Sequence, residues 1–174
     1  MSSDHIPRMP IGEHEGDAAS DSPAESPNSS GHASGHEAGP DAPEPLHVLV
    51  YSDDRNVRRQ VLSSLGRRPH VDLPVVEYVE CATEPMVIAR VDAQRFDLLI
   101  LDGEAVPAGG MGIARQLKDE VFNCPPILVL IGRPQDAWLA TWSRADSVVS
   151  HPIEPRTLAR AAASLLKRRV AISS

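Results

Sequence analysis

From Leu46 to the end, the chain repeats one unit: a short run of β-branched and aliphatic residues, a turn, then a segment with apolar residues every three or four positions. That alternation predicts an α/β fold around a parallel sheet, because parallel strands need helical crossovers to return the chain to the same edge. The first strand reads Leu46-His47-Val48-Leu49-Val50-Tyr51 and leads into a helix with Val57, Val61, Leu62 and Leu65 on one face. A second strand is expected near Val75–Val79, followed by a helix capped by Thr83 with Pro85 in its first turn. The runs Asp97–Leu101 and Ile127–Ile131 are apolar on both faces, which assigns them to the middle of the sheet. Ile113, Leu117 and Val121 mark the helix between them, and a short helix with both tryptophans follows. Ser147–Ser150 reads as the fifth strand, and Leu158, Ala162, Leu165 and Leu166 mark the last helix.

Ahead of this body lies a different kind of sequence. Met1 to Pro45 carries nine Asp/Glu against one Arg, whereas Leu46 to Ser174 carries sixteen Lys/Arg against fifteen acids. The net charge of -7 is thus a tail of -8 on a body of +1. Residues 1–45, rich in Pro, Ser, Gly and Ala, cannot offset the entropy of ordering and are expected to be a disordered acidic tail, with a folded body over 46–170 and a short end at 171–174. Met1, Ile6, Met9 and Ile11 form an apolar cluster at the tip, the pattern of a segment that folds on a partner. The tail would be repelled by phosphate backbones and anionic lipid, so no DNA partner is expected. No run is long enough for membrane insertion and no secretory signal opens the chain, which predicts a cytoplasmic protein with Cys81 and Cys124 reduced.

In open parallel sheets, functional groups gather beyond the carboxyl ends of the strands, where strand order reverses. With order 2-1-3-4-5, the turn after strand one and the end of strand three are neighbours, so Asp53, Asp54 and Asp102 are expected to converge. Carboxylates brought together repel unless a hard cation joins them, which makes weak Mg²⁺ binding the expectation, with no cofactor required. Trp138 and Trp142, one helical turn apart in an aromatic-poor chain, read as anchors for a protein partner. The glycines at 109, 110 and 112 read as a flexible loop, and Cys81 and Cys124 fall at opposite ends of the sheet, too far apart for a disulfide.

The order Val-Leu-Val-Tyr-Ser52-Asp53-Asp54, then Leu-Leu-Ile-Leu-Asp102, then Ile131-Gly132-Arg133, then Val148-Val-Ser-His151-Pro152, resembles the receiver domain of bacterial response regulators. The resemblance spans Leu46 to about Arg169 and implies a flavodoxin-like (βα)5 fold, a phosphoacceptor at Asp102 and a histidine kinase as partner. It also shows departures at the positions that make a switch. Ser52 stands where the family has its first acid, Ile131 replaces the hydroxyl that reads the phosphoryl group, His151 replaces a lysine, and Val148 replaces the switching aromatic. An acceptor without reader or counter-charge implies a non-enzymatic pseudo-receiver acting as an interaction module. The body is further similar to orphan receivers of high-GC bacteria associated with respiratory complex I, the proton-pumping NADH:quinone oxidoreductase. That resemblance implies an accessory or regulatory role on the assembly's peripheral arm, at the cytoplasmic face of the membrane.

Overall fold

A computed structural model describes residues 43–173; the apolar cluster Met1, Ile6, Met9 and Ile11 lies outside the described residues. Strands β1 (Leu46–Tyr51), β2 (Val76–Cys81), β3 (Leu98–Asp102), β4 (Ile127–Ile131) and β5 (Ser147–Ser150) alternate with helices. The helices are α1 (Arg55–Leu65), α2 (Glu84–Ala93), α3 (Gly110–Glu120), α4 (Trp138–Ser143) and α5 (Pro155–Ser173). A single 3-10 turn over Pro134–Ala137 leads into α4. All strand pairs are parallel, in the order β2-β1-β3-β4-β5. The order expected from the sequence therefore holds, and β3 and β4 are buried from end to end.

Strand periodicity sorts the core into two layers. Val48, Val50, Leu98, Ile100, Leu128 and Leu130 face α1 and α5, packing on Val61, Leu65, Leu158 and Leu166. Their neighbours Leu49, Tyr51, Leu99, Leu101, Val129 and Ile131 face the other way, onto Val87, Ile113, Ala114 and Leu117 of α2 and α3. A one-residue slip would exchange the layers, so the register is fixed by burial on both sides.

Some local expectations shift. Strand β2 starts at Val76 and runs to Cys81 because Val76 N–H is taken by Arg67 O and Ser52 N–H by Cys81 O. Thr83 sits at the N-cap of α2 with extended backbone, but its side chain makes no capping bond there. Helix α5 runs through Ser173, past the expected end of the body at 170. Cys81 is buried and Cys124 half-buried, both free thiols. Among the described residues no helix is long and apolar enough to cross a membrane.

Candidate functional site

The carboxyl edge of the sheet brings together Ser52 after β1, Asp102 at the end of β3, Ile131 at the end of β4 and His151 after β5. Asp102 is 3% exposed, so each of its oxygens needs a donor from the fold. Ser52 Oγ donates to Oδ2 at 2.8 Å. The backbone N–H of Glu104 donates to Oδ1 at 3.0 Å. Ser52 Oγ in turn accepts from the N–H of Asp54 at 3.1 Å, which orients the hydroxyl toward the carboxylate.

His151 Nε2 lies 3.9 Å from Asp102 Oδ1, and this nitrogen is buried without a hydrogen-bond partner. The imidazole therefore stands beside the carboxylate without hydrogen-bonding to it. The ring is held there because His151 N–H bonds Ile131 O at 2.8 Å, continuing the β4–β5 pairing one step beyond the strands.

The expected gathering of Asp53, Asp54 and Asp102 is not found. Asp54 is the N-cap of α1, its Oδ1 accepting from Asn56 N–H at 2.7 Å. That bond satisfies a donor left open at the helix start, a local gain that no isolated neighbouring carboxylate could match. Asp53 is exposed, and Arg58 holds the turn from outside by donating to Ser52 O at 2.6 Å and pairing with Glu80 at 3.1 Å. Among the described residues no three His, Cys, Asp or Glu side chains are grouped to hold a metal ion. Asp102, the one buried carboxylate among the described residues, accepts one hydrogen bond on each oxygen, and Ser52 fills the first acid's position.

Glu104 is a pocket residue that the sequence reading missed. Its carboxylate lies against Gly132, where an added Cβ would meet Glu104 Cδ at 2.6 Å and push this exposed side chain aside. The exposed side chain thus lies from the end of β3 toward the residue after β4, while its backbone N–H serves Asp102. The only sequence sign was a glutamate two residues past Asp102. The Arg133 guanidinium nearby is held above its ordinary value by Asp136 chiefly, with a smaller part from Glu104.

The loop from β3 to α3 is pinned rather than loose. Tyr51 Oη donates to Ala108 O at 2.6 Å, and the phenol is pushed up by burial, then by the carboxylates of Asp53, Glu84 and Asp102. At Gly110 an added Cβ would meet Asp102 O at 2.6 Å, so α3 begins in direct backbone contact with the end of β3. Gly109 and Gly110 serve close packing, which corrects the expectation of flexibility there, whereas Gly112 has open space around its Cβ.

Ile131 is fully buried among α2–α3 layer residues and Val148 packs at the edge of the same cluster. Neither presents a polar atom to the pocket. The tryptophans point outward: Trp138 is 68% exposed and Trp142 53%. Arg115 stands 6.0 Å from the Trp142 ring centre and donates to Trp142 O at 3.0 Å, while Asp119 pairs with both Arg115 and Arg144.

No protein-family model matches the chain. A response regulatory protein of Mycobacterium tuberculosis is 58% identical over 128 residues, covering 74% of this chain and 96% of that protein, in each of two strains. Among solved structures, the chain is similar to the BeF3-activated receiver domain of DrrB (TM-score 0.59, 18% identity, 71% of this chain and 99% of that one). It is also similar to the chemotaxis response regulator CheY4 of Vibrio cholerae (TM-score 0.59, 21% identity, 70% of this chain and 99% of that one).

Proposed function

Because the chain belongs to the response regulator receiver family, we propose that it is a receiver whose output is docking onto a larger protein assembly, with the Asp102 pocket held in one state. One observation carries this reading: both Asp102 oxygens are engaged by donors of the fold itself, Ser52 Oγ and Glu104 N–H. A phosphoryl group arriving at that carboxylate would meet oxygens whose electron density is already drawn on by a hydrogen bond each. It would then find Ile131 at the end of β4 instead of a hydroxyl. In this reading Trp138 and Trp142 are the exposed anchors of the docking surface. The assembly we put forward is the peripheral arm of respiratory complex I, on the resemblance to orphan receivers associated with it.

A second reading makes Asp102 a working phosphoacceptor for a histidine kinase. The name of the Mycobacterium tuberculosis relatives fits this reading better than the first, and so do the burial of Asp102 at the end of the central strand and the nearness of His151. One experiment separates the two: incubation with acetyl phosphate, with and without Mg²⁺, followed by intact mass and by recovery of partners from the native host. The first reading expects no phosphoryl gain, recovery unchanged in Asp102→Asn, and recovery reduced in Trp142→Ala. A Mg²⁺-dependent gain of one phosphoryl that disappears in Asp102→Asn would establish the second.

A further inference from the structure

The sixteen Lys/Arg and fifteen Asp/Glu of residues 46–174 nearly cancel, yet they are not mixed. Residues 55–71 and 155–174 together hold ten of those Lys/Arg and no Asp/Glu, leaving six Lys/Arg and all fifteen acids to the rest of the body. The fold makes these two segments neighbours. Helices α1 and α5 pack side by side on one face of the sheet, joined by Gln60 Nε2 donating to Ile153 O at 3.2 Å.

On the outside of this layer, Arg55, Arg59, Arg156, Arg160 and Arg168 are exposed, as are Arg67 and Arg68 in the loop after α1. None of these seven has an ion-pair partner among the described residues. Most of the acids that border the layer are already occupied, the exposed Asp53 before Arg55 being an exception. Glu80 pairs with Arg58, Asp72 with Lys167, Asp146 with Lys118, Glu77 with His47, and Glu154 caps α5. So many unneutralised guanidinium groups on two adjacent helices repel one another, and a polyanion laid across them relieves that repulsion while each planar fork takes a carboxylate or phosphate.

The shape and composition of the face select the polyanion. An open groove of about 520 Å³ runs between α5 and the loop after α1, with Ala159 and Ala163 as its floor and Arg156, Arg160, Lys167 and His70 on its rim. Neither helix carries an aromatic residue on which nucleic-acid bases could stack. The groove also has no large apolar side chain to enter a lipid surface. We propose that the outer face of the α1–α5 layer docks an extended acidic segment of a partner protein, its carboxylates paired with Arg156, Arg160 and their neighbours. The proposal rests neither on the chemistry of Asp102 nor on the tryptophans.

The test uses the full chain and labelled poly-L-glutamate, followed by fluorescence anisotropy at low and at about 0.15 M salt. Arg156→Gln/Arg160→Gln should weaken binding about tenfold at low salt, and the difference should shrink as salt rises. Arg90→Gln/Arg95→Gln, the same charge change in and just after α2, should leave it within about twofold; circular dichroism of both variants shows that each is folded. Equal weakening by the two pairs, no binding of poly-L-glutamate, or tighter binding of a single-stranded oligonucleotide or of phosphatidylserine vesicles would each overturn the proposal.

Discussion

The bond from Ser52 Oγ to Asp102 Oδ2 is the residue-scale event on which the pocket turns. Removing the hydroxyl in Ser52→Ala would leave a buried carboxylate oxygen without its donor, and should cost about 1–3 kcal/mol in urea denaturation. An unchanged midpoint would show that the bond contributes nothing. Glu154 supplies a pH dependence: the Thr157 hydroxyl, then the N–H groups of Arg156 and Thr157, hold its carboxyl below the ordinary 4.5. A depressed folded value favours the fold above the ordinary value and is lost as pH falls through the folded one. Stability should therefore drop on acidification below 4.5, and Glu154→Gln should flatten that part of the curve measured by thermal melting. Asp72 and Asp119, lowered chiefly by Lys167 and Arg115, act with the same sign.

At this scale the sequence was legible where a residue's place follows from a strand end and illegible where it depends on a partner across the fold. Asp102 was read as a pocket residue because it closes a strand, and His151 because the receiver resemblance puts it at the position after the fifth. The Ser52 bond crosses fifty residues of sequence, and nothing local announces it. Asp54 is a different kind of error, since an aspartate directly before a helix is a common N-cap and that signal was available.

Among the elements, β3 and the start of α3 meet backbone to backbone. Gly110→Ala would press a methyl group to 2.6 Å from Asp102 O, with backbone on both sides and no flexible end to move. The substitution should destabilise by about 1–3 kcal/mol or prevent folding, whereas Gly112→Ala, with open space around its Cβ, should not destabilise; thermal melting of the pair checks this. Strands β3 and β4 were legible because short apolar runs bounded by turn residues are too short for a helix and suit a strand buried on both faces. Strand β2 was placed early because its charged and half-buried edge residues blur the apolar signal. Pinning of the β3–α3 loop by Tyr51 was not legible, since a glycine needed for close approach looks the same in sequence as one needed for freedom.

The whole molecule presents two helical layers of different character on one sheet. Trp138 and Trp142 are the only tryptophans and both lie exposed, so the emission of the free protein should be that of solvated indole and readily quenched by acrylamide. Docking of a partner on α4 should shift that emission to the blue, while Trp142→Ala should change stability by less than about 1 kcal/mol. Emission already blue-shifted in the free chain would mean that this surface is covered before any partner arrives. The parallel sheet was available from the alternation of elements and its strand order from the receiver resemblance, but the grouping of cations was not. Their segments stand nearly a hundred residues apart, and only the crossover that sets α1 beside α5 joins them.

That crossover has an electrical consequence. With cations concentrated on one flank and acids over the rest, the body carries a permanent dipole even though its total is close to zero. In the field of a charged assembly such a body experiences a torque before it experiences much net attraction. The fraction of collisions that arrive in a productive orientation is then governed by where the arginines lie, and a count of charges alone would miss it.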